Sequence, residues 1–183
     1  MAHTNQILYC ESVKRKYPQF FKGIKVLDIG SLDINGSNRY LFEECDYLGI
    51  DVGEGKGVDI VCSGHLYDAP DESFDVTISC ECFEHNPWWK ETFTNMHRMT
   101  KPNGLVIVTC ATKGRGEHGT TRTSPNDSPL TVGQGWEYYK NLYEQDFYDN
   151  FDMDKMFKAF YLTTEHRMDF LNDLYFFGIK GSF

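Results

Sequence analysis

The chain has 183 residues, enough for one domain with a sizeable core and too few for two ordinary ones. Its 18 Lys and Arg stand against 27 Asp and Glu, a formal net charge of -9, which speaks against the dense basic face of a DNA or large-RNA binder. Hydrophobic residues make up 40% and aromatics 15%, a folded composition in which Tyr and Phe supply much of the core, and no apolar run approaches the roughly 20 residues of a membrane span.

Residues 5–17 read as a helix with Ile7, Leu8 and Val13 on one side, stopped by Pro18. Ile24–Ile29 is a first strand that runs into Gly30 and Ser31. Ser37–Glu44 reads as a short helix, and Asp46–Asp51 as a second strand. Each of these strands delivers a carboxylate, Asp28 and Asp51, toward its C-terminal edge, where open α/β sheets bind nucleotides. Gly53–Gly57 is a turn, Val58–Cys62 a third strand, Pro70–Ser73 a turn, and Phe74–Cys80 a fourth strand. Pro87 suits the first residue of a helix to about Met99, and Lys101–Gly104 is a turn before a fifth strand, Leu105–Cys110.

Strands alternating with helices imply a parallel, doubly wound sheet. The last third differs. Residues 112–135 are rich in Gly, Thr, Ser and Pro and lack periodicity, as a functional loop would be. Trp136–Phe151 reads as helical, and Phe157–Thr164 and Asp173–Gly181 as two closing strands.

Six cysteines (Cys10, Cys45, Cys62, Cys80, Cys82, Cys110) form no CxxC pair. They read as reduced thiols, and with no apparent signal peptide after Met1 the expected location is cytoplasmic. The acids are scattered rather than grouped at ligand spacing, so no metal site is expected.

The order VLDIGS, Asp51, SFDVTIS followed by Glu81 and Glu84-His85, then KPNG before LVIVT, resembles a class I S-adenosylmethionine-dependent methyltransferase over roughly residues 20–181. The segments Ser31–Ser37 and Gly114–Thr120 further resemble a bacterial and phage-type subgroup associated with surface-polysaccharide modification. The resemblance implies an α/β Rossmann-like fold, a single domain over 1–183 with an N-terminal helix in 1–22, a mostly parallel seven-stranded sheet and a C-terminal antiparallel hairpin. The lid over the site falls in 112–150. The family usually has a second glycine, as DxGxG. Here Ser31 and Leu32 follow Gly30 and the next glycine is Gly36, so the loop has a different shape.

Asp51 can accept from both ribose hydroxyls, with Val52 beside it. Gly30 lets backbone approach the cofactor. Asp28 orients that loop or meets the cofactor's ammonium, and Ser31 and Gly36 complete it. Ser63, Gly64 and His65 would border the adenine, with Ser63 standing where relatives often carry an Asp. Cys80 and Glu81 would lie by the methionine moiety. His85 is the candidate base, oriented by Glu84, and His118 is a second base candidate. Arg115 and Arg122 could grip an anionic or polyhydroxy acceptor, and Trp136, Tyr138 and Tyr139 could stack on a sugar ring.

The expected activity is methyl transfer, with S-adenosylhomocysteine as product, to a small molecule or surface-glycan sugar, O-methylation first. N-methylation of an amino sugar or small amine, and a non-catalytic cofactor-binding subunit, stay open. A dehydrogenase does not fit, because GxGxxG is absent after the first strand. An outward-facing aromatic lid would offer a homodimer surface.

Overall fold

The strands come where apolar runs end in turn residues. The computed structural model describes residues 3–165 and 172–182. In it β1 (Lys25–Ile29), β2 (Asp46–Asp51), β3 (Ile60–Val61), β4 (Phe74–Cys80), β5 (Thr100–Ala111), β6 (Phe157–Glu165) and β7 (Asp173–Lys180) form one sheet in the order β3-β2-β1-β4-β5-β7-β6. The first five are parallel, while β7 runs antiparallel to both β5 and β6. Neighbouring strands put Leu27 beside Leu48 and Asp28 between Gly49 and Ile78. The strand order reverses between β1 and β4. Their C-terminal ends therefore diverge into a crevice, the place where such sheets hold ligands.

Alternate residues of each strand enter separate cores. Val26, Val76, Ile78, Leu105, Ile107 and Ile179 face α1 (Thr4–Lys16), which buries Cys10 and Val13 against them. Leu27, Ile29, Val106, Val108 and Phe176 face α2 (Trp89–Met99), α3 being the short turn of helix Pro129–Gly133 above the sheet edge and α4 (Glu144–Asn150) the second helix on this side. Phe93 of α2 is the hub of that core, its ring 4.8 Å from Phe151, 5.2 Å from Phe147 and 5.4 Å from Phe176. A last turn, α5 (Met153–Met156), leads into β6.

Several elements differ from what local patterning predicts. Ser37–Glu44 is no helix but a 3-10 turn at Asn38–Leu41, opened by the Ser37 hydroxyl accepting from the Arg39 N–H. The chain then straightens because Leu41 and Phe42 are drawn into the α1 core and the Glu43 N–H bonds Phe21. β3 keeps only Ile60 and Val61 as ladder residues, an exposed edge. α2 starts at Trp89, after a turn in which the Asn86 side chain accepts from the Trp88 N–H. β5 begins at Thr100, so the predicted turn at Lys101–Gly104 is an irregularity within the strand, with Asn103 at a left-handed φ of 64.

The largest departure is Trp136–Phe151, helical only over Glu144–Asn150. Tertiary partners override the helical pattern here. The Lys140 N–H bonds the Glu84 carbonyl and the Leu142 N–H bonds Ala111, which takes them out of any local ladder. Residues 166–171, like Met1, Ala2 and Phe183, lie outside the described residues.

Candidate functional site

The crevice between β1 and β4 opens into a cavity lined from both strand edges. Its floor is made by the β1–β2 edge. Gly30, at φ 81, turns the chain sharply, and its N–H bonds the Ile50 carbonyl at 2.9 Å. A Cβ at this position would fall 2.7 Å from the Cys82 side chain, so two chain segments touch here and only glycine fits. Asp51 ends β2 and ties the loop down, one oxygen accepting from the Leu32 N–H at 3.0 Å and the other from the Val52 N–H at 2.7 Å. An ionised carboxylate has roughly four acceptor positions, so about two remain to face the cavity. Burial raises the Asp51 pKa, and those two backbone N–H groups oppose the rise.

Asp28 lies under the floor and also lines the cavity. It accepts from the Tyr47 hydroxyl at 2.6 Å. Burial pushes its carboxyl up to about 6, the Tyr47 bond opposes this, and the Asp51 charge adds to it. The Ser31 hydroxyl is buried in the same wall with no partner among the described residues.

The β4 side carries the denser charge. Glu81 sits at a left-handed φ of 52, a strained conformation for a residue with a side chain. Its carboxylate accepts from Thr109 at 2.9 Å and lies 3.4 Å from His3 and 3.7 Å from Arg115. Burial works against its charge, but the bond to His3 and the charges of His3 and Arg115 hold the carboxyl at about 2. Arg115 also pairs with Asp173 at 2.7 Å, as does His3 at 3.2 Å. Burial lowers the His3 pKa, but its two carboxylate partners outweigh that and raise it to about 9. His3 thereby pins the start of α1 to the ends of β4 and β7.

Beyond Glu81, a 3-10 turn at Phe83–His85 presents Glu84 and His85, both buried. The 112–120 loop returns His118 to them, with its ring 4.9 Å from that of His85 and edge-on to it. Tyr139 closes over both, at 4.9 Å from His118 and 5.6 Å from His85. Burial raises Glu84 to about 8, with the Glu81 charge adding to it. Burial first, then the neighbouring His118, pushes His85 down to about 3, so its ring is neutral at pH 7. Of these groups His85 lines the cavity itself.

Residues 32–108 match a methyltransferase domain family. The chain has the α/β Rossmann-like methyltransferase fold. It is 29% identical over 155 residues to phosphoethanolamine N-methyltransferase 2 of Caenorhabditis elegans, a match that takes in 74% of this chain and 34% of that protein. The chain thus spans about a third of the length of that relative. The fold is that of a Burkholderia thailandensis 1,6-didemethyltoxoflavin N1-methyltransferase solved with its substrate and S-adenosylhomocysteine, at a TM-score of 0.66 and 13% identity, covering 97% of this chain and 79% of that one. It is equally that of Haemonchus contortus phosphoethanolamine N-methyltransferase 2 with phosphomonomethylethanolamine and S-adenosylhomocysteine, at a TM-score of 0.63 and 17% identity, covering 97% of this chain and 53% of that one.

The methyltransferase cavity gathers many residues singled out from the sequence. Asp28, Gly30, Ser31 and Gly36 line it from the first loop, and Asp51 and Val52 from β2. Ser63 and Gly64 line it after β3, Cys80 and Glu81 after β4, and Trp136 from the lid. His65 stands outside the lining. It hydrogen-bonds Ser63 at 2.8 Å and stacks on Trp88 at 4.7 Å, which in turn meets Trp136 at 4.8 Å.

Glu84, His118 and Tyr139 sit behind His85 rather than in the cavity wall. Arg115 is enclosed in its ion network with Glu81 and Asp173. Arg122 is exposed and pairs with Glu117 and Glu137, and half-buried Tyr138 is not in the lining either.

Sequence reasoning missed Gln6, Asn38 and Asn86, as well as the roof segment Asp127–Thr131, all of which line the cavity. Gln6 comes from α1 and bonds Asn38 at 3.0 Å. No motif marks either residue. The roof is held by Gln134 donating to the Val52 carbonyl at 3.0 Å, and by Leu130 lying over Gly53.

Proposed function

We propose that this chain transfers a methyl group from S-adenosylmethionine to a hydroxyl of a small polar molecule or a surface-glycan sugar. The residues present fit that cofactor. Asp51 keeps acceptor capacity for ribose hydroxyls, and Gly30 and Gly64 expose bare backbone in the cavity lining, at close approaches to Cys82 and to Ile29 and Thr92 that leave no room for a Cβ. Asp28 offers a negative charge to a cationic amino acid end, and the Ser31 hydroxyl, also in the lining, has no partner among the described residues. Bound there, S-adenosylmethionine supplies a sulfonium-activated methyl group. The chain's own work is then alignment and exclusion of water. Trp136 and the Asp127–Thr131 segment close the roof, while Glu81, held by His3 and Arg115, fixes the β4 edge.

The observation that carries the hydroxyl reading is that His85 lines the cavity, backed by Glu84 and His118. An alcohol is a poor nucleophile until its proton is held or removed, and this is the polar group positioned to do so. A neutral amine acceptor needs no such group. The relative named as an N-methyltransferase favours a second reading, methylation of a small amine.

The test is release of S-adenosylhomocysteine over a panel of sugars and amines, with the wild type and His85→Ala. The hydroxyl reading expects turnover with a hydroxylated acceptor and a loss of roughly 10²–10⁴-fold in kcat on substitution. Turnover with an amine only, unchanged in His85→Ala, would establish the second reading.

A further inference from the structure

We propose that Glu84, His85 and His118 form a binding site for a divalent transition-metal ion, of the zinc, cobalt or iron(II) kind, at the acceptor end of the cavity. The three side chains each offer one ligand atom, and these atoms all lie within 4.8 Å of one another. All three residues are buried. Both carboxylate oxygens of Glu84, both ring nitrogens of His85 and Nε2 of His118 have no hydrogen-bond partner among the described residues. Buried polar atoms in native proteins are nearly always paired, and a buried carboxylate left alone is strongly disfavoured. Three buried side chains that carry polar atoms without hydrogen-bond partners among the described residues, each bringing one ligand atom to within 4.8 Å of the others, call for a cation.

The contrast with the neighbouring cluster sharpens the argument. His3, Glu81 and Asp173 also offer atoms at ligand separation, but that group is internally balanced by Arg115 and by hydrogen bonds from Thr109 and Tyr175. Among the described residues no side chain hydrogen-bonds the Glu84 carboxylate. The histidine from the loop is instead arranged as metal-binding histidines are. Nδ1 of His118 bonds the Gly116 carbonyl at 3.0 Å, which fixes the tautomer and leaves the Nε2 lone pair free.

The loop is shaped to bring that ring in. Gly119, at φ 64, packs so closely that a Cβ there would stand 2.7 Å from Cε1 of His85. Two imidazoles and a carboxylate suit zinc, cobalt, iron(II) and manganese rather than magnesium or calcium, which prefer all-oxygen shells. Three protein ligands leave an open position, the arrangement of a catalytic rather than a structural site. Because His85 lines the cavity, that position would face an acceptor oxygen, and with an ion bound the ion, not the His85 ring, would lower that oxygen's pKa. The role of the ion rests on the methyl-transfer reading, whereas the site itself does not.

The chelator-stripped protein is titrated with cobalt(II), followed by visible absorption, and with zinc, followed by calorimetry. Binding of S-adenosylhomocysteine is measured on every sample as an independent readout. The expected result is one ion per chain, with the d–d bands of a low-coordinate cobalt site. His118→Ala should weaken binding by more than the roughly 10–100-fold that loss of a merely supporting residue causes. Its S-adenosylhomocysteine affinity should stay unchanged, and His97→Ala should bind metal as the wild type does. Absence of cobalt bands, or metal affinity insensitive to both His118→Ala and Glu84→Gln, would overturn the site. Metal binding without any S-adenosylhomocysteine binding would leave the site standing and overturn the methyl-transfer reading instead.

Discussion

Asp51 and Leu32 are joined across the β1–β2 edge, the Asp51 carboxylate accepting from the Leu32 N–H at 3.0 Å. The acid that ends β2 therefore shapes the loop that leaves β1. On the proposed reading, cofactor binding and loop geometry are coupled through one side chain, and substitutions at either end of this link should read out on the same measurement.

Gly30→Ala should damage both stability and cofactor affinity. The residue sits at φ 81, and a Cβ would collide with Cys82 at 2.7 Å. A side chain forced into that region costs about 1–3 kcal/mol. Thermal denaturation should show a drop of roughly 2–12 °C for a chain of this size. Calorimetry should show weaker S-adenosylhomocysteine binding in the protein that remains folded.

On the proposed reading, Asp28 should make cofactor affinity depend on pH. Its carboxyl is raised by burial to about 6, so it is charged at pH 7 and loses that charge as pH falls through 6. A cationic cofactor should bind more weakly below about pH 6 than at pH 7.5. The dependence should vanish in Asp28→Asn, whose affinity at pH 7.5 should match that of the wild type at low pH. Titration calorimetry in buffers across pH 5–8 checks this.

His3 makes stability depend on pH in the opposite range. Its pKa is raised in the folded protein to about 9, from an ordinary value of 6.5. Binding of a proton thus favours the folded state. The stabilisation is fully present below about pH 6.5 and is lost as pH rises through 9. The melting temperature should fall over that window, and His3→Ala should flatten the fall. Differential scanning calorimetry at fixed ionic strength measures it.

Phe93→Ala tests the α2 core separately from the site. The ring is fully buried amid Phe83, Phe147, Phe151, Phe157 and Phe176. Truncation should cost about 3–5 kcal/mol and lower the melting temperature by roughly 6–20 °C. Denaturant unfolding should give a lower midpoint. Cofactor affinity at low temperature should change little, since Phe93 does not line the cavity.

The first half of the chain was legible because its signals are local. Asp46–Asp51 and Phe74–Cys80 are apolar runs that end in a turn or an acid, and their bounds agree with the structure. The parallel order and the closing hairpin followed from the alternation and from the resemblance. The lid was not legible in the same way. Trp136–Leu142 carries a helical pattern, yet its backbone is claimed by Glu84 and Ala111, residues far away in sequence.

The candidate site divides along the same line. Gly30 and Asp51 lie next to strand ends and line the cavity, whereas Gln6 arrives on a separate helix with no motif to announce it. Arg115 and Arg122 look alike in sequence. One is enclosed by Glu81 and Asp173 and the other is exposed against Glu117 and Glu137, a difference only the fold creates. The meeting of Glu84-His85 with His118 likewise depends on the return path of the 112–120 loop.

Calorimetric titration of the wild type and Asp51→Ala with S-adenosylmethionine and S-adenosylhomocysteine tests the central claim most directly. Charge-assisted hydrogen bonds of about 1.5–3 kcal/mol predict micromolar binding to the wild type and a loss of roughly 10–150-fold in the variant. A well-folded wild type that binds neither ligand, or a variant that binds as tightly as the wild type, would contradict the assignment of this cavity to the cofactor.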